Sequence, residues 1–481
     1  MNPPPQLRKD TIVQLRPSSG CSAEGEYNGF SQSSAGTAAR KAPLTTVRIL
    51  AIIATLSIAT QIASANWFVH VFRTPNASAL IAKNWLSTGA YWGGSERMWG
   101  KGNGDHVVRA FQLPGEPLFL AAMFKVLPEY LHKYVHVPIM AMLICALTLV
   151  AKQWAGARAA LVTGLVATFH PFVALHGVVW DDAFLATALL WTVIAIVCYR
   201  GDRSPDRPLV LLSVGFLSGA AAVTRADCQV ILLALGATFL FLPKTKSMRA
   251  TCVAAIAGIA LALVVWGARN RLVVGSFVIG STHDGITLWE SNGPYSRAAV
   301  WQGQVEAFSY SSSTMAQHWA RTAGMNEVQA DAYYRNEAIS YVVRHPGSVV
   351  QTGILKVFLS LLGIRPNESW HNLRNGVSIL ANLTVLLVAL VGVWHPPRKE
   401  QLPLRTLRLI LCLTISGVVG ALLMLGPIGF RYCLPLEGVL WIFAGQGIAY
   451  MIENWREHHA FLGTRIASLG SVMAGDSTGR R

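Results

Sequence analysis

Long apolar runs are the feature that most constrains how this chain can fold. Two examples are ILAIIATLSIATQIASANWFV and ATCVAAIAGIALALVVWG. A helix needs about 20 mostly apolar residues to cross the hydrocarbon core of a bilayer. Charged residues make up only 13% of the 481 residues, whereas soluble globular proteins are about one-quarter charged. The sequence therefore predicts an all-α polytopic membrane protein.

Twelve apolar segments follow one another along the chain. They lie at roughly 48–70, 116–127, 134–151, 159–178, 183–199, 208–224, 227–243, 250–267, 348–364, 373–394, 407–427 and 433–452. Lys and Arg accumulate in cytoplasmic loops, and this rule places four short basic connectors and both tails in the cytoplasm. The connectors contain Lys152 and Arg158; Arg200, Arg203 and Arg207; Lys244, Lys246 and Arg249; and Arg398, Lys399, Arg405 and Arg408.

Successive connectors must lie on alternate sides of the membrane. With the four basic connectors in the cytoplasm, this is possible only if the segments 116–127 and 348–364 do not span the membrane. We interpret both as re-entrant or interfacial helices on the outer side. Ten spans then remain, and up to twelve if both segments cross. If 116–127 does cross, the sidedness of the next pair of segments reverses.

This topology divides the chain into five regions. We expect a disordered cytoplasmic tail at 1–47, an N-terminal transmembrane catalytic module at 48–267 with a first outer loop at 72–115, an extracytoplasmic loop region at 268–347, C-terminal transmembrane helices at 348–453, and a cytoplasmic tail at 454–481. No short apolar core precedes a cleavage site, so we predict no cleavable signal peptide.

Charge and cysteine content exclude several other classes of function. The formal net charge is +16, which the cytoplasmic basic connectors explain better than nucleic-acid binding does. The chain contains seven cysteines, an odd number, and no CxxC pair. Both facts argue against a disulfide framework or a zinc site. Nucleotide-binding loops, HExxH and GxSxG are absent from the sequence.

Two adjacent aspartates, Asp181 and Asp182, interrupt the apolar stretch VVWDDAFLATALLW. A carboxylate at a helix start can cap free backbone N–H groups. One cap suffices for one helix, so the second carboxylate is available to bind a metal, an arginine or a sugar hydroxyl. The structural and the functional interpretation both stay open at this point.

Other ionisable residues lie in the predicted outer connectors. Glu96, Asp105 and His106 in the first outer loop are candidate proton-exchanging groups, although the alternative is a solvated flexible loop. Arg225 and Arg431, with Arg269 as a third candidate, present planar guanidinium groups suited to phosphate oxygens. The alternative for each arginine is snorkelling to the membrane interface.

Several segments together resemble the polytopic GT-C glycosyltransferases. The similarity is greatest to the protein O-mannosyltransferase family and its bacterial relatives, including enzymes that add aminoarabinose to lipid A. The matching segments are LPGEPLFLAA (113–122), HP (170–171), DDAFLATALL (181–190), AAVTRAD (221–227), ARNRLVVGSFVIGSTHDGITLWESNGP (268–294), AYYRNEAISYVVRHPGSVV (332–350) with Lys356, and RYCLPLEGVL (431–440).

The resemblance implies a sugar donor carried on a polyprenyl or dolichyl phosphate and an active site open to the periplasm or lumen. It also implies that basic residues hold the lipid phosphate; the positions that match are Arg225, Arg269, Arg431 and Lys356. Asp182 is the better-aligned member of the aspartate pair.

The chain departs from the family pattern after the first span. The family commonly has an aspartate there, but residues 73–78 read RTPNAS and contain no acid. Glu96 or Asp105 substitutes for it, or the catalysis differs, or activity is lost. Glu116, where relatives usually have an aromatic residue, is a candidate for the compensating acid.

The sequence therefore predicts an inner-membrane glycosyltransferase. It would move a hexosyl or pentosyl group by inverting, direct transfer from a polyprenyl-phosphate donor to an extracytoplasmic acceptor: protein, lipid A or surface glycan. The alternatives are a lipid-linked sugar flippase or transporter and a catalytically degenerate accessory relative. Paired aspartates permit a divalent metal, but the sequence requires none and assigns no metal ligand.

Overall fold

The computed structural model describes residues 45–68, 77–93, 107–176, 181–200, 208–241, 246–301, 313–364, 373–395, 402–426 and 430–475. Within these residues the chain is almost entirely helical. The β structure in this part is one isolated antiparallel bridge between Gly93 and Val108.

The first half of the chain forms the following helices, with a short 3₁₀ helix at Glu129–Tyr134 between α3 and α4. They are α1 Thr46–Phe68, α2 Ala77–Thr88, α3 Gly115–Val126, α4 Val137–Phe169, α5 Pro171–His176, α6 Asp182–Arg200, α7 Pro208–Ala222, α8 Ala226–Phe241 and α9 Lys246–Val274.

The second half begins with helices of the predicted loop region and ends with long apolar helices. They are α10 Asp284–Asn292, α11 Ser296–Trp301, α12 Ser313–Thr322, α13 Glu327–Arg344, α14 Pro346–Leu361, α15 Leu373–Trp394, α16 Leu402–Leu425 and α17 Phe430–Gly475. Helix α2 lies within the predicted first outer loop at 72–115.

Seven helices in the described part of the chain are long and apolar enough to cross a membrane, so the chain is a multi-pass membrane protein. They correspond to eight of the ten predicted spans, because 134–151 and 159–178 share the single helix α4. The spans predicted at 208–224 and 227–243 form α7 and α8, of 15 and 16 residues. The two segments interpreted as non-spanning form the short helices α3 and α14.

Helix α4 reverses direction at Gly156, whose φ of 86° lies in the left-handed region that favours glycine. A side chain added at Gly164 would meet the Thr148 hydroxyl at 2.8 Å. Residues 16 positions apart on a straight helix would be about 24 Å apart. The two halves of α4 therefore pack against each other as a hairpin.

Apolar side chains fill the centre of the helical bundle. Helix α4 packs against α1, α6 and α17, and α7 packs against α9. Trp191 on α6 and Trp441 on α17 are both fully buried. Large apolar residues such as Phe216 and Leu261 are exposed on the outside of the bundle, as expected for helices that face lipid.

The two ends of the bundle differ in chemistry. At one end Lys152 on α4 donates to the Thr46 hydroxyl of α1, and Arg158 pairs with Glu453 of α17 at 2.7 Å. Arg431 lies 22 residues before Glu453 on the same helix, which places it about 33 Å away along the axis. The first predicted basic connector is therefore at the opposite end from Arg431.

A side chain of helix α13 holds the predicted first outer loop, 72–115, against the predicted loop region 268–347. The start of α13 is fixed by a capping box between Asn326 and Gln329. The buried Glu327 carboxylate accepts from the backbone N–H groups of Arg109 and Ala110, both at 3.0 Å, and from the Thr282 hydroxyl at 2.8 Å. Tyr334 and Ala338 of α13 are both fully buried.

Candidate functional site

The aspartate pair begins helix α6. Asp181 precedes the helix, and its Oδ1 accepts from the backbone N–H of Ala183 at 2.9 Å. Asp181 is therefore the helix cap, which leaves Asp182 as the second carboxylate of the pair. Burial, followed by the neighbouring Asp182, raises the pKa of Asp181 to about 6.

Arg225 binds two carboxylates at the turn between α7 and α8. Its Nη1 donates to Asp182 Oδ1 at 2.9 Å, and its Nε donates to both oxygens of Asp227 at 3.0 Å. The Arg225 side chain is 8% exposed, whereas that of Asp182 is 33% exposed. Because Arg225 already holds two acids, its contacts orient Asp182, and its predicted phosphate-binding role stays a prediction.

Two residues at the start of α17 extend this network. The Arg225 guanidinium carbon lies 4.8 Å from the centre of the Tyr432 ring. The Arg431 Nη2 donates to the Tyr432 hydroxyl at 2.9 Å, and the Arg431 guanidinium carbon lies 5.0 Å from the same ring centre. We call Asp181, Asp182, Arg225, Asp227, Arg431 and Tyr432 the acidic centre.

The start of α3 packs directly against the turn that carries Arg225. The Gly115 N–H donates to the Val223 carbonyl at 2.8 Å. A Cβ atom at Gly115 would lie 2.1 Å from the Thr224 hydroxyl and 2.7 Å from the Thr224 Cα. Glycine is therefore required at residue 115 for this close approach.

Glu116 follows this contact and is buried beside a histidine. Glu116 and His136 are each 1% exposed, and His136 Nε2 lies 3.6 Å from Glu116 Oε1. Burial raises the pKa of Glu116 well above its usual range, and the nearby Asp182 and Asp181 raise it further. The sequence identified Glu116 as a candidate acid but gave no reason to select His136.

We expect Glu116→Gln to raise the melting temperature in detergent relative to wild type, and the difference to grow as the pH rises from 5 to 8. The folded state keeps the Glu116 proton above the pH at which the unfolded chain releases it, so wild-type stability falls as pH rises in that window. Glutamine has no such proton. The exposed Glu129→Gln is the control, and a pH-independent difference for Glu116→Gln would contradict the prediction.

A groove of about 790 Å³ adjoins the Gly115–Val223 contact, since Pro114 and Val223 are among its lining residues. Its walls are apolar at Leu118, Val223 and Val265, and aromatic at Tyr91 and Trp266. Pro114 and Val223 line it and also adjoin the acidic centre. The groove and the acidic centre therefore share one wall.

Arg109 and Arg269 supply the positive charge of this groove. The Arg269 guanidinium carbon lies 5.1 Å from the Tyr91 ring centre and 4.9 Å from the Trp266 ring centre. Its Nη1 donates to the Arg109 carbonyl at 2.5 Å. Arg269 thus belongs to the groove, whereas Arg225 and Arg431 belong to the acidic centre.

Lys356 lies in a different environment from the predicted phosphate site. It is fully buried on α14, and its Nζ donates to the carbonyls of Ser291 at 3.2 Å and Gly426 at 2.8 Å. These contacts link α14 to α10 and to the end of α16. The predicted donor-binding role of Lys356 stays a prediction.

Three candidates from the first outer loop, Glu96, Asp105 and His106, lie outside the described residues, so their predicted roles stay predictions. Among the residues that the structure describes, no group of three or more His, Cys, Asp or Glu side chains is arranged to hold a metal ion.

Sequence reasoning missed Asp227, His136 and Tyr432. Asp227 lies two residues after Arg225 in AAVTRAD and Tyr432 adjoins Arg431, so closeness to a candidate arginine was an available signal. His136 precedes an apolar run and gave no such signal, because its partner Glu116 lies 20 residues earlier.

No family model and no curated protein match this chain. Among solved structures, it is similar to the archaeal oligosaccharyltransferase AglB from Archaeoglobus fulgidus in complex with an inhibitory peptide and a dolichol-phosphate, with 12% identity, a TM-score of 0.48, and coverage of 87% of this chain and 52% of that chain. It is also similar to the apo form of the Archaeoglobus fulgidus oligosaccharyltransferase, with 12% identity, a TM-score of 0.49, and coverage of 89% and 53%. The chain spans about half the length of both structures. This similarity assigns no activity to the chain.

Proposed function

We propose that this protein is an integral membrane glycosyltransferase of the GT-C type that moves a sugar from a polyprenyl-phosphate donor to an acceptor outside the cytoplasm. One observation carries the proposal. An acidic centre with a partly exposed carboxylate shares a wall with an apolar groove that carries two arginines.

The chemistry of the groove suits the lipid part of such a donor. Leu118, Val223 and Val265 provide apolar contacts for an isoprenoid chain, and Tyr91 and Trp266 add aromatic surface. Arg109 and Arg269 add the positive charge that attracts a phosphate. An uncharged lipid would offer no anionic group for these two arginines to bind.

The chemistry of the acidic centre suits activation of an acceptor. In direct transfer, an acceptor heteroatom forms a bond to the anomeric carbon of the sugar while the carbon–oxygen bond to the lipid phosphate breaks with inversion. The acceptor proton passes to a carboxylate, and the phosphate leaves with the electron pair. We assign the proton-accepting role to Asp182, because Arg225 holds one of its oxygens and keeps it ionised.

The topology supports an outward-facing site. Lys152 and Arg158, at the bend of α4, are at the opposite end of the bundle from Arg431. The positive-inside rule assigns that basic end to the cytoplasm. The acidic centre would then face the periplasm or the extracytoplasmic side of an inner membrane, where protein, lipid A and surface glycans are accessible acceptors.

Arg269→Ala tests the groove. We expect this variant to lose about tenfold in affinity for a photoactivatable polyprenyl phosphate, since a charge-assisted contact is worth about 1.5–3 kcal/mol. The readout is competition of cross-linking by unlabelled polyprenyl phosphate in nanodiscs. Arg271→Ala is the matched control, because Arg271 lies on the same helix but is exposed and donates to the Gly275 carbonyl. Equal affinity of the two variants would contradict the assignment of the groove.

Transfer itself is tested in membranes that contain the purified protein and radiolabelled lipid-linked sugars from its host. The proposal expects label to appear in a new, non-lipid glycosidic linkage. Movement of labelled lipid across the bilayer without any new linkage would overturn the proposal in favour of a flippase. Polyprenyl-phosphate binding without turnover of any host acceptor would favour an accessory relative.

A further inference from the structure

The Glu327 carboxylate, in the first turn of α13, holds the backbone of the segment that carries Arg109. Glu327 is 7% exposed. Its Oε1 accepts from the Arg109 N–H at 3.0 Å, and its Oε2 accepts from the Ala110 N–H at 3.0 Å and from the Thr282 hydroxyl at 2.8 Å. The Thr282 N–H in turn donates to the Ala110 carbonyl at 2.9 Å. Helix α13 and Thr282 therefore fix the backbone at residues 109 and 110.

Arg269 holds the same segment from the groove. Its Nη1 donates to the Arg109 carbonyl at 2.5 Å, and its Nη2 donates to the Tyr91 carbonyl at 3.4 Å. The N–H of Arg109 thus binds the Glu327 carboxylate, while the carbonyl of the same residue binds the Arg269 guanidinium. The opposite charges of Glu327 and Arg269 also attract each other. A shift of residue 109 would therefore move the Arg109 side chain and displace the acceptor that orients Arg269.

We propose that Glu327 is a positioning residue, which places Arg109 and Arg269 to bind the phosphate of a polyprenyl-phosphate donor. This inference rests on the proposed function and deepens it, since it names a residue outside the groove on which donor binding depends. Glu327 is not among the described residues that line the groove, so it acts through the backbone of residue 109. Two guanidinium groups bind one phosphate together only when both reach its oxygens.

Glu327→Gln tests the positioning role. Glutamine keeps the length of the side chain, but its NH₂ group cannot accept the hydrogen bond that one carboxylate oxygen accepts. We expect the affinity for a photoactivatable polyprenyl phosphate in nanodiscs to fall about tenfold, because a buried N–H group loses its acceptor and the segment at 109–110 moves. Glu337→Gln is the matched control, since Glu337 is an exposed carboxylate on the same helix. Equal affinity of Glu327→Gln and Glu337→Gln would overturn the inference.

Binding of the uncharged polyprenol separates positioning from a merely structural role. The apolar walls at Leu118 and Val265 belong to α3 and α9 rather than to the segment at 109–110. We therefore expect Glu327→Gln to bind a photoactivatable polyprenol as wild type does. If the affinities for polyprenyl phosphate and polyprenol fell by the same factor, Glu327 would support the groove as a whole and the inference would be wrong.

Thr282→Val decides the matter if Glu327→Gln does not fold. This variant removes one donor to the Glu327 carboxylate, while the bonds from the N–H groups of Arg109 and Ala110 remain. We expect it to bind polyprenyl phosphate about threefold more weakly than wild type, and polyprenol equally well. Wild-type affinity of Thr282→Val for both lipids would overturn the inference.

The outcomes also separate this inference from the proposed function. If the wild-type protein forms no glycosidic linkage from lipid-linked sugar, the proposed function fails and the inference fails with it. If the wild-type protein transfers sugar and Glu327→Gln binds polyprenyl phosphate with wild-type affinity, the proposed function stands and the positioning role of Glu327 fails.

Discussion

Replacing Asp182 by alanine is expected to lower the rate of sugar transfer by roughly 10²–10⁴-fold, the range typical of a lost general base. The variant should still fold, because Arg225 keeps its ion pair with Asp227 at 2.9 Å. The measurement is radiolabel transfer from lipid-linked sugar in reconstituted membranes, at equal amounts of protein that elutes as a single species in detergent.

Glu337→Gln provides the control for Asp182→Ala. Glu337 is an exposed carboxylate on α13, outside the acidic centre and the groove, so its loss should leave transfer unchanged. Asp182→Asn should be as inactive as Asp182→Ala, since an amide keeps the shape but cannot accept the proton. If the folded Asp182→Ala protein transferred sugar at the wild-type rate, Asp182 would not be the proton acceptor.

Replacing Gly115 by alanine is expected to destabilise the protein by about 3 kcal/mol or more, the upper range for overpacking. The added Cβ would lie 2.7 Å from the Cα and 2.8 Å from the backbone nitrogen of Thr224. Neither atom belongs to a flexible side chain, so α3 must move away from the turn that carries Arg225. We expect a lower melting temperature in detergent and weaker binding of polyprenyl phosphate in the adjacent groove.

Gly417→Ala is the matched control for Gly115→Ala. Gly417 lies inside α16, and a Cβ there would meet no atom within 4 Å. Alanine favours a helix by up to about 1 kcal/mol over glycine, so this variant should be as stable as wild type or slightly more stable. If Gly115→Ala had the same melting temperature as Gly417→Ala, α3 could move away from the turn with no loss of stability, and the prediction would be wrong.

The candidate site was only partly accessible from sequence. Asp182, Arg225 and Arg431 were selected because charge at the ends of apolar segments is unusual, and the structure brings them into one network. The family resemblance also selected Lys356, which the structure places against the carbonyls of Ser291 and Gly426. The sequence does not distinguish a buried cation that binds a ligand from one that links two helices, because the partners of that cation are distant in the chain.

Asp227 and Tyr432 show what local context leaves out. In sequence, Asp227 and Asp182 are both acidic residues at the start of a helix. The ion pair of Asp227 with Arg225 can be identified only from the directions of the side chains in the structure. Tyr432 lies next to one arginine in the chain, but its second partner, Arg225, belongs to the turn between two other helices. No hydropathy or motif pattern relates residues on different helices.

The sequence by itself determined that the protein is an all-α, multi-pass membrane protein and where its long apolar helices lie. Hydropathy decides these features locally, because each apolar helix must satisfy its own backbone in lipid. Only the tertiary structure decided that Asp182 pairs with Arg225, 43 residues away, that Arg269 belongs to a separate groove, and that Glu116 lies buried against His136. Those contacts depend on how the helices pack, and packing is set by the shapes of surfaces that no single segment contains.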